Sequence, residues 1–142
     1  MKQYIFRYVP EAANVGIIFR PKIEILLQSK ASDWYLFKAY VDSGSDISLF
    51  TKSDAELLGL SLYKGEYRPI VGIGKLLIPS YLHNVKMKIE ETTLNVKAAF
   101  ADSDEVPRLL GRTDVFKHFK ISFDEEKLEI IFEIKDSASP EK

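Results

Sequence analysis

The chain has 142 residues, 46% of them hydrophobic: one domain's worth of sequence, with enough apolar material for a core and too much for a disordered chain. Lys plus Arg is 20 against 21 for Asp plus Glu, a net charge of −1, without the basic surplus that phosphate contacts with nucleic acid require. Zero cysteines exclude disulfides, thiolate metal sites and thiol nucleophiles, and His83 and His118 leave little for a zinc site or a Ser-His-Asp triad. An enzyme made from these residues works with acids.

In chain order, residues 1–10 mix Lys2 and Arg7 with aromatics and lack the apolar core of a signal peptide. No apolar run is long enough to span a bilayer, so the expectation is a soluble, cytoplasmic protein with no membrane partner. Residues 1–20 read as an N-terminal extension of open role, 21–134 as the domain itself and 135–142 as a frayed polar tail. After Pro21, the alternation of Ile23, Ile25 and Leu27 predicts a half-buried strand, and residues 35–41 predict a second. Ser53-Asp54-Ala55-Glu56 has the spacing of a capping box, opening a short helix that Gly59 ends.

Val85, Met87 and Ile89 alternate with Lys86, Lys88 and Glu90; Leu94, Val96, Ala98 and Phe100 repeat the pattern after the turn Glu91-Thr92-Thr93. Val115, Phe116 and Phe119 predict a second helical piece over 113–119. Strands over 120–123 and 128–134 flank a polar turn at 124–127. Many short strands at regular spacing predict a sandwich or barrel.

Three segments carry chemistry. In Ala39-Tyr40-Val41-Asp42-Ser43-Gly44-Ser45-Asp46-Ile47 an apolar strand runs straight into a carboxylate, a hydroxyl and a glycine. Asp, Ser and Gly are ordinary turn formers, but following Ala-Tyr-Val draws Asp42 toward the interior, where it needs donors such as the amides around Gly44 and the hydroxyls of Ser43 and Ser45. Ile70-Val71-Gly72-Ile73-Gly74-Lys75-Leu76-Leu77-Ile78 is an apolar segment with two glycines, which reads as a mobile hairpin. Leu109-Leu110-Gly111-Arg112 precedes the second helical piece, and its plain reading is a strand-to-helix corner. His83 and His118 are isolated. Asp42 with Asp46 falls short of a calcium loop. Asp102-Ser103-Asp104-Glu105 is an acidic loop able to bias substrate charge.

Taken together and in this order, the three segments resemble the retropepsins, the single-domain aspartic proteases of retroviruses and their cellular relatives. Asp42-Ser43-Gly44 is similar to the family's catalytic Asp-Thr/Ser-Gly turn, Val71-Gly72-Ile73-Gly74 to its flap, and Leu109-Leu110-Gly111-Arg112 to its apolar-apolar-Gly-Arg segment. The resemblance implies an all-β fold: a closed acid-protease barrel of six or more strands with one or two short helices, dimeric. With one Asp-Ser-Gly turn per chain, it implies a homodimer whose two Asp42 carboxylates share a proton and activate water against a peptide bond. Ser43, Gly44 and Ser45 would support the loop. Asp46, Ile70, Gly72, Ile73 and Gly74 would bind the polypeptide substrate, with Asp46 pairing to Arg112, and Leu109, Leu110, Gly111 and Arg112 would be structural at the site. No metal, other cofactor or nucleic acid is implied. The rival expectation is a non-catalytic barrel of the same kind, serving dimerisation or peptide binding.

Overall fold

The structure, a computed structural model, describes residues 2–135. Strands dominate: β1 (Gln3–Arg7), β2 (Val9–Ala13), β3 (Gly16–Arg20), β4 (Lys22–Gln28), β5 (Trp34–Val41) and β6 (Leu49–Phe50) precede a helix, α1 (Lys52–Leu57). Then come β7 (Glu66–Tyr67), β8 (Ile70–Val71), β9 (Leu77–Ile78), β10 (Ser80–Ile89), β11 (Thr92–Ala101), β12 (Leu109–Leu110), β13 (Phe119–Asp124) and β14 (Glu129–Ile134). The fold is all-β, and the main sheet runs β11-β6-β12-β5-β4-β10-β7 with an additional β10–β11 pairing. β1 adds to the β14–β13 hairpin, and β2 with β3 and β8 with β9 form separate hairpins.

The alternating segments bury one face as their period requires. Ile23, Ile25 and Leu27 of β4, Met87 and Ile89 of β10, and Leu94, Val96 and Ala98 of β11 all enter one core with Phe50, Phe100 and Phe132. Phe50 stacks on Phe100 with ring centroids 5.5 Å apart and meets the edge of Phe37 at 6.1 Å. Each of these rings, fully buried, contributes about 2–3 kcal/mol from apolar area alone. β10 and β11 are joined through Glu90 and Glu91, with Glu90 at φ 51°, a tighter turn than the three residues expected.

Two helical expectations are corrected. The capping box belongs to Thr51 and Asp54: Asp54 N–H donates to Thr51 Oγ1 and Thr51 N–H to Asp54 Oδ2, each at 3.1 Å. Ser53, one residue inside the helix, is instead tied to Asp104, its N–H to Oδ1 at 2.8 Å and its hydroxyl to Oδ2 at 2.7 Å. Two spacings of the same hydroxyl-to-carboxylate type overlap here; in the earlier one Asp54 is also held by Arg108, and in the later one Ser53 is taken up by Asp104. Gly59, at φ 74°, ends the helix as expected, with Leu60 N–H donating to Ala55 C=O and Gly59 N–H to Glu56 C=O. The second piece, 113–119, is turns followed by a single 3-10 turn, Phe116–His118, after which Phe119 already belongs to β13. The tail expected over 135–142 lies, beyond Lys135, outside the described residues.

Candidate active site

β5 delivers Asp42. Val41 is buried at its end, and the next residue is half-buried where the chain leaves the sheet. Asp42 C=O accepts from Ser45 N–H at 3.1 Å, closing a turn, and its carboxylate Oδ1 accepts from Gly44 N–H at 2.9 Å. A Cβ on Gly44 would stand 3.3 Å from that oxygen, tighter than an ordinary contact. Of the donors expected for Asp42, the Gly44 amide is the one the structure provides. The Ser45 hydroxyl donates to Ile47 C=O at 2.7 Å, and Ser43 is exposed.

The second loop is wedged behind the first. β12 lies parallel to β5 and antiparallel to β6, so Leu109 faces both Tyr40 and Leu49. Tyr40 N–H donates to Arg108 C=O at 2.9 Å and Asp42 N–H to Leu110 C=O at 3.1 Å, which fixes the exit of β5 on both sides of Val41. Gly111 comes so close to the neighbouring backbone that a Cβ there would lie 2.4 Å from the carbonyl carbon of Ile47. Its N–H donates to Ser48 Oγ at 2.9 Å. Arg112 N–H donates to Ser45 C=O and Thr113 N–H to Asp46 C=O, both at 2.9 Å, and Thr113 Oγ1–H to the same Asp46 oxygen at 2.8 Å.

The Asp46–Arg112 pair forms, Nη2 to Oδ1 at 2.9 Å, with side chains 72% and 57% exposed. Exposure of that degree limits an ion pair to about 0–1 kcal/mol, so the main-chain bonds join the loops and the carboxylate stays open to other donors. Asp42, Ser45, Asp46, Leu110, Gly111 and Arg112 are thus one hydrogen-bonded unit. Leu109 belongs to it through β12.

Two further residues of this unit, Ser48 and Asp114, carry no signal in the sequence, and Asp54 supports it from α1 in a role other than the one its spacing predicts. Asp114 is buried, and its Oδ1 accepts from Ser48 N–H at 3.2 Å while Oδ2 has no hydrogen-bond partner among the described residues. Loss of water pushes its carboxyl up to about 6, against the hydrogen bonds from Ser48. Asp54, buried in α1, accepts both arms of Arg108 at 2.8 and 3.0 Å, and this guanidinium lies 5.4 Å over the ring of Phe37. The helix is thereby clamped to the segment entering β12. The hydroxyl-to-carboxylate spacing before α1 is the available signal for Asp54, and the true pair, Thr51 and Asp54, lies two residues before the expected one. Nothing local in the sequence marks Ser48 or Asp114, whose burial comes from packing between distant loops.

The glycine segment is a hairpin, β8 against β9, closed at its tip by Gly72 N–H to Leu76 C=O at 2.8 Å and Lys75 N–H to Gly72 C=O at 3.2 Å. Gly74 sits at φ 79°, in the left-handed region, whereas Gly72 has an ordinary φ of −90°. Ile73 is fully exposed and Val71, Leu76 and Leu77 are largely so. Ile70 is half-buried: with Ile78, Ile47 and Leu109 it packs on a small cluster of Leu49, Leu82, Ala99 and Ala101. The hairpin base and the two loops therefore share one apolar support, while Ile73, Gly72 and Gly74 stand at the free end.

Other candidates resolve into structure. His83 Nε2 is 2.9 Å from Leu62 C=O and its ring packs on Phe100. His118 lies in the 3-10 turn before β13. In the acidic loop, Asp104 holds Ser53, and Asp102 accepts from Tyr63 Oη at 2.9 Å and pairs with Lys52 at 3.6 Å, so both carboxylates are engaged within the chain. Among the described residues no three His, Asp or Glu side chains gather as a metal site would need. Nor is any helix there long and apolar enough to cross a membrane.

Residues 36–113, more than half of the chain and spanning all three segments, match the family model described as aspartyl protease. The chain belongs to the aspartyl protease family. Its fold is that of the retropepsin-like members. A retropepsin-like aspartic protease from Rickettsia conorii superposes with a TM-score of 0.63 at 21% identity, covering 92% of this chain and 98% of that one. The EIAV protease, solved with the inhibitor HBY-793, gives a TM-score of 0.50 at 21% identity over 66% of this chain and 82% of that one. The retroviral protease-like domain of Ddi1 from Leishmania major gives 0.53 at 16% identity, over 83% and 97%. At these identities the likeness is one of fold. No curated protein matches the chain.

Proposed function

We propose that this chain is an aspartic endopeptidase, active as a homodimer in which Asp42 of each subunit meets the other across a two-fold axis. The observation that carries the reading is the Asp42 loop itself: a half-buried carboxylate at the end of a core strand, oriented by the Gly44 amide and braced from behind by Leu110, Gly111 and Arg112. One such carboxylate per chain needs a second chain to make a dyad.

Two carboxylates about 3 Å apart cannot both ionise, so the pair holds one proton. The ionised member takes a proton from water as the water oxygen attacks the scissile carbonyl carbon. The protonated member donates to the carbonyl oxygen, giving a tetrahedral diol. Collapse of the diol breaks the C–N bond as a proton passes to the amine that leaves. Residues 21–134 form the protease domain in this reading, closed into a barrel by the β10–β11 pairing, with the 1–20 segment attached to it.

Ser43 bonds across the dimer, Gly44 lets substrate approach the backbone, and Asp46 holds substrate main chain with its exposed carboxylate. The hairpin 70–78 closes over an extended peptide, bending at Gly72 and Gly74, with Ile70 and Ile73 offering apolar contacts and water excluded. The test is cleavage of unfolded casein by the purified protein across acidic to neutral pH. Asp42→Asn should abolish it, and a cleavage rate unchanged by that substitution would overturn the reading. A wild type that never cleaves and sediments as a monomer favours the non-catalytic barrel instead.

A further inference from the structure

A cavity of about 750 Å3 opens on the flank of the molecule, and Asp42 does not line it. Five cations do: Lys30, Arg68, Lys86, Lys97 and Lys117. Two carboxylates share the lining, Glu66, which is paired to Lys97 at 3.0 Å, and Asp114, whose Oδ1 is held by the Ser48 amide. A surplus of three positive charges remains. Lys30, Arg68, Lys86 and Lys117 have no carboxylate partner among the described residues, although the chain as a whole carries a net charge of −1. Positive charge is therefore concentrated here against the overall balance.

The floor is ordered as well as charged. Asn84 faces Lys97 across the β10–β11 pair, and Lys86 faces Asn95, so cation and amide alternate in a diagonal lattice on one exposed sheet face. Amides that both donate and accept suit a peptide main chain, and lysines set between them suit carboxylate side chains spaced along it. One wall of the cavity is Ile47 and Thr113, the residues immediately after Asp46 and Arg112. The groove thus begins where the proposed substrate loop ends.

We propose that this groove binds an acidic stretch of polypeptide, continuous with the chain bound at the Asp42 loop, and so selects substrates carrying Asp- or Glu-rich segments. The assignment of a polypeptide rests on the endopeptidase reading; the binding itself does not need catalysis. A cavity of this volume falls in the range of ligand sites, and the exposed lysines make the affinity fall with salt.

Fluorescence anisotropy of labelled hexaglutamate on the full chain tests it, with hexaglutamine as the neutral control. Wild type and Asp42→Asn should bind hexaglutamate equally and hexaglutamine negligibly. Lys86→Glu/Lys117→Glu should weaken binding by about tenfold or more, as reversal of charges in direct contact does. Lys38→Glu/Lys64→Glu, the same charge change outside the groove, should leave it unchanged, with circular dichroism showing both variants folded. Equal losses in the two variants, or no binding by wild type, would overturn the proposal. Tighter binding of a single-stranded RNA hexamer through Lys86 and Lys117 would overturn the polypeptide assignment. In the cleavage arm, an acid-tailed peptide should show a raised KM and unchanged kcat in Lys86→Glu/Lys117→Glu. Binding without any cleavage by wild type would sink the endopeptidase reading and leave the groove standing.

Discussion

Gly111 and Gly74 lie in two of the three segments that carry the family resemblance, with opposite surroundings. Around Gly111 the backbone of Ile47 stands where a Cβ would go, and main-chain bonds run from 110–113 to 42–48. Around Gly74 there is nothing within 4 Å, and the side chains beside it point into water. One glycine is required by crowding and the other by a left-handed φ in open space. The loops that hold the carboxylate are over-determined, while the hairpin has little holding its tip, the contrast that the proposed aimed carboxylate and closing hairpin would need.

Substitutions can break this contrast. Gly111→Ala should have the largest effect, about 3 kcal/mol or more, because the atoms in the way are backbone and the two loops must separate to admit a methyl group. Urea unfolding measures it, and a loss below about 1 kcal/mol would mean the wedge is looser than described. Arg108→Ala leaves the buried Asp54 carboxylate without its two-point partner; since Arg108 is itself 39% exposed, a loss of about 2 kcal/mol is expected in the same assay.

Asp114 gives a pH signature of comparable size. Its carboxyl is raised to about 6 in the folded protein, so between the ordinary carboxylate range and about 6 the folded state holds a proton that the unfolded chain has released. The stability it contributes is complete at low pH and is lost as pH rises through about 6, on the order of 3 kcal/mol. Asp114→Asn should flatten that slope in thermal melts taken from pH 4 to pH 7, roughly the window between the two carboxyl values. A slope unchanged in the variant would place the titration elsewhere.

Gly74→Ala meets no atom and bears only the left-handed backbone, a cost of about 1 kcal/mol, and should slow cleavage more than it lowers Tm. Smallest in stability is Arg112→Ala: the exposed pair with Asp46 adds at most about 1 kcal/mol, so Tm should hardly move while KM for peptide rises.

Much of the fold was legible because it rests on period-two patterning. Ile23, Ile25 and Leu27, or Met87 and Ile89, are inward for the reason their spacing announces. The Asp46–Arg112 pair was implied by the family resemblance, and it forms. What was illegible depends on competition between near-equal local choices or on distance. Thr51 and Ser53 both offer a hydroxyl three residues before a carboxylate, and the contacts that accompany the outcome, Arg108 to Asp54 and Asp104 to Ser53, come from more than fifty residues away. Residues 113–119 carry helical spacing, but Val115 and Phe119 are buried from turns and the start of a strand, so packing overrides period. Asp114 reads as an ordinary polar residue at a corner, and only the assembled loops bury it.

The two residues of β12 also set an order of events. Leu109 and Leu110 enter a slot whose walls, the ends of β5 and β6, were synthesised long before them. A ribosome that has released Asp42 has still to make the segment that will hold its amide and brace its turn. Until Gly111 and Arg112 emerge, the growing chain carries the aspartate without the geometry, so the Asp42 turn takes its final shape only after most of the chain has been made.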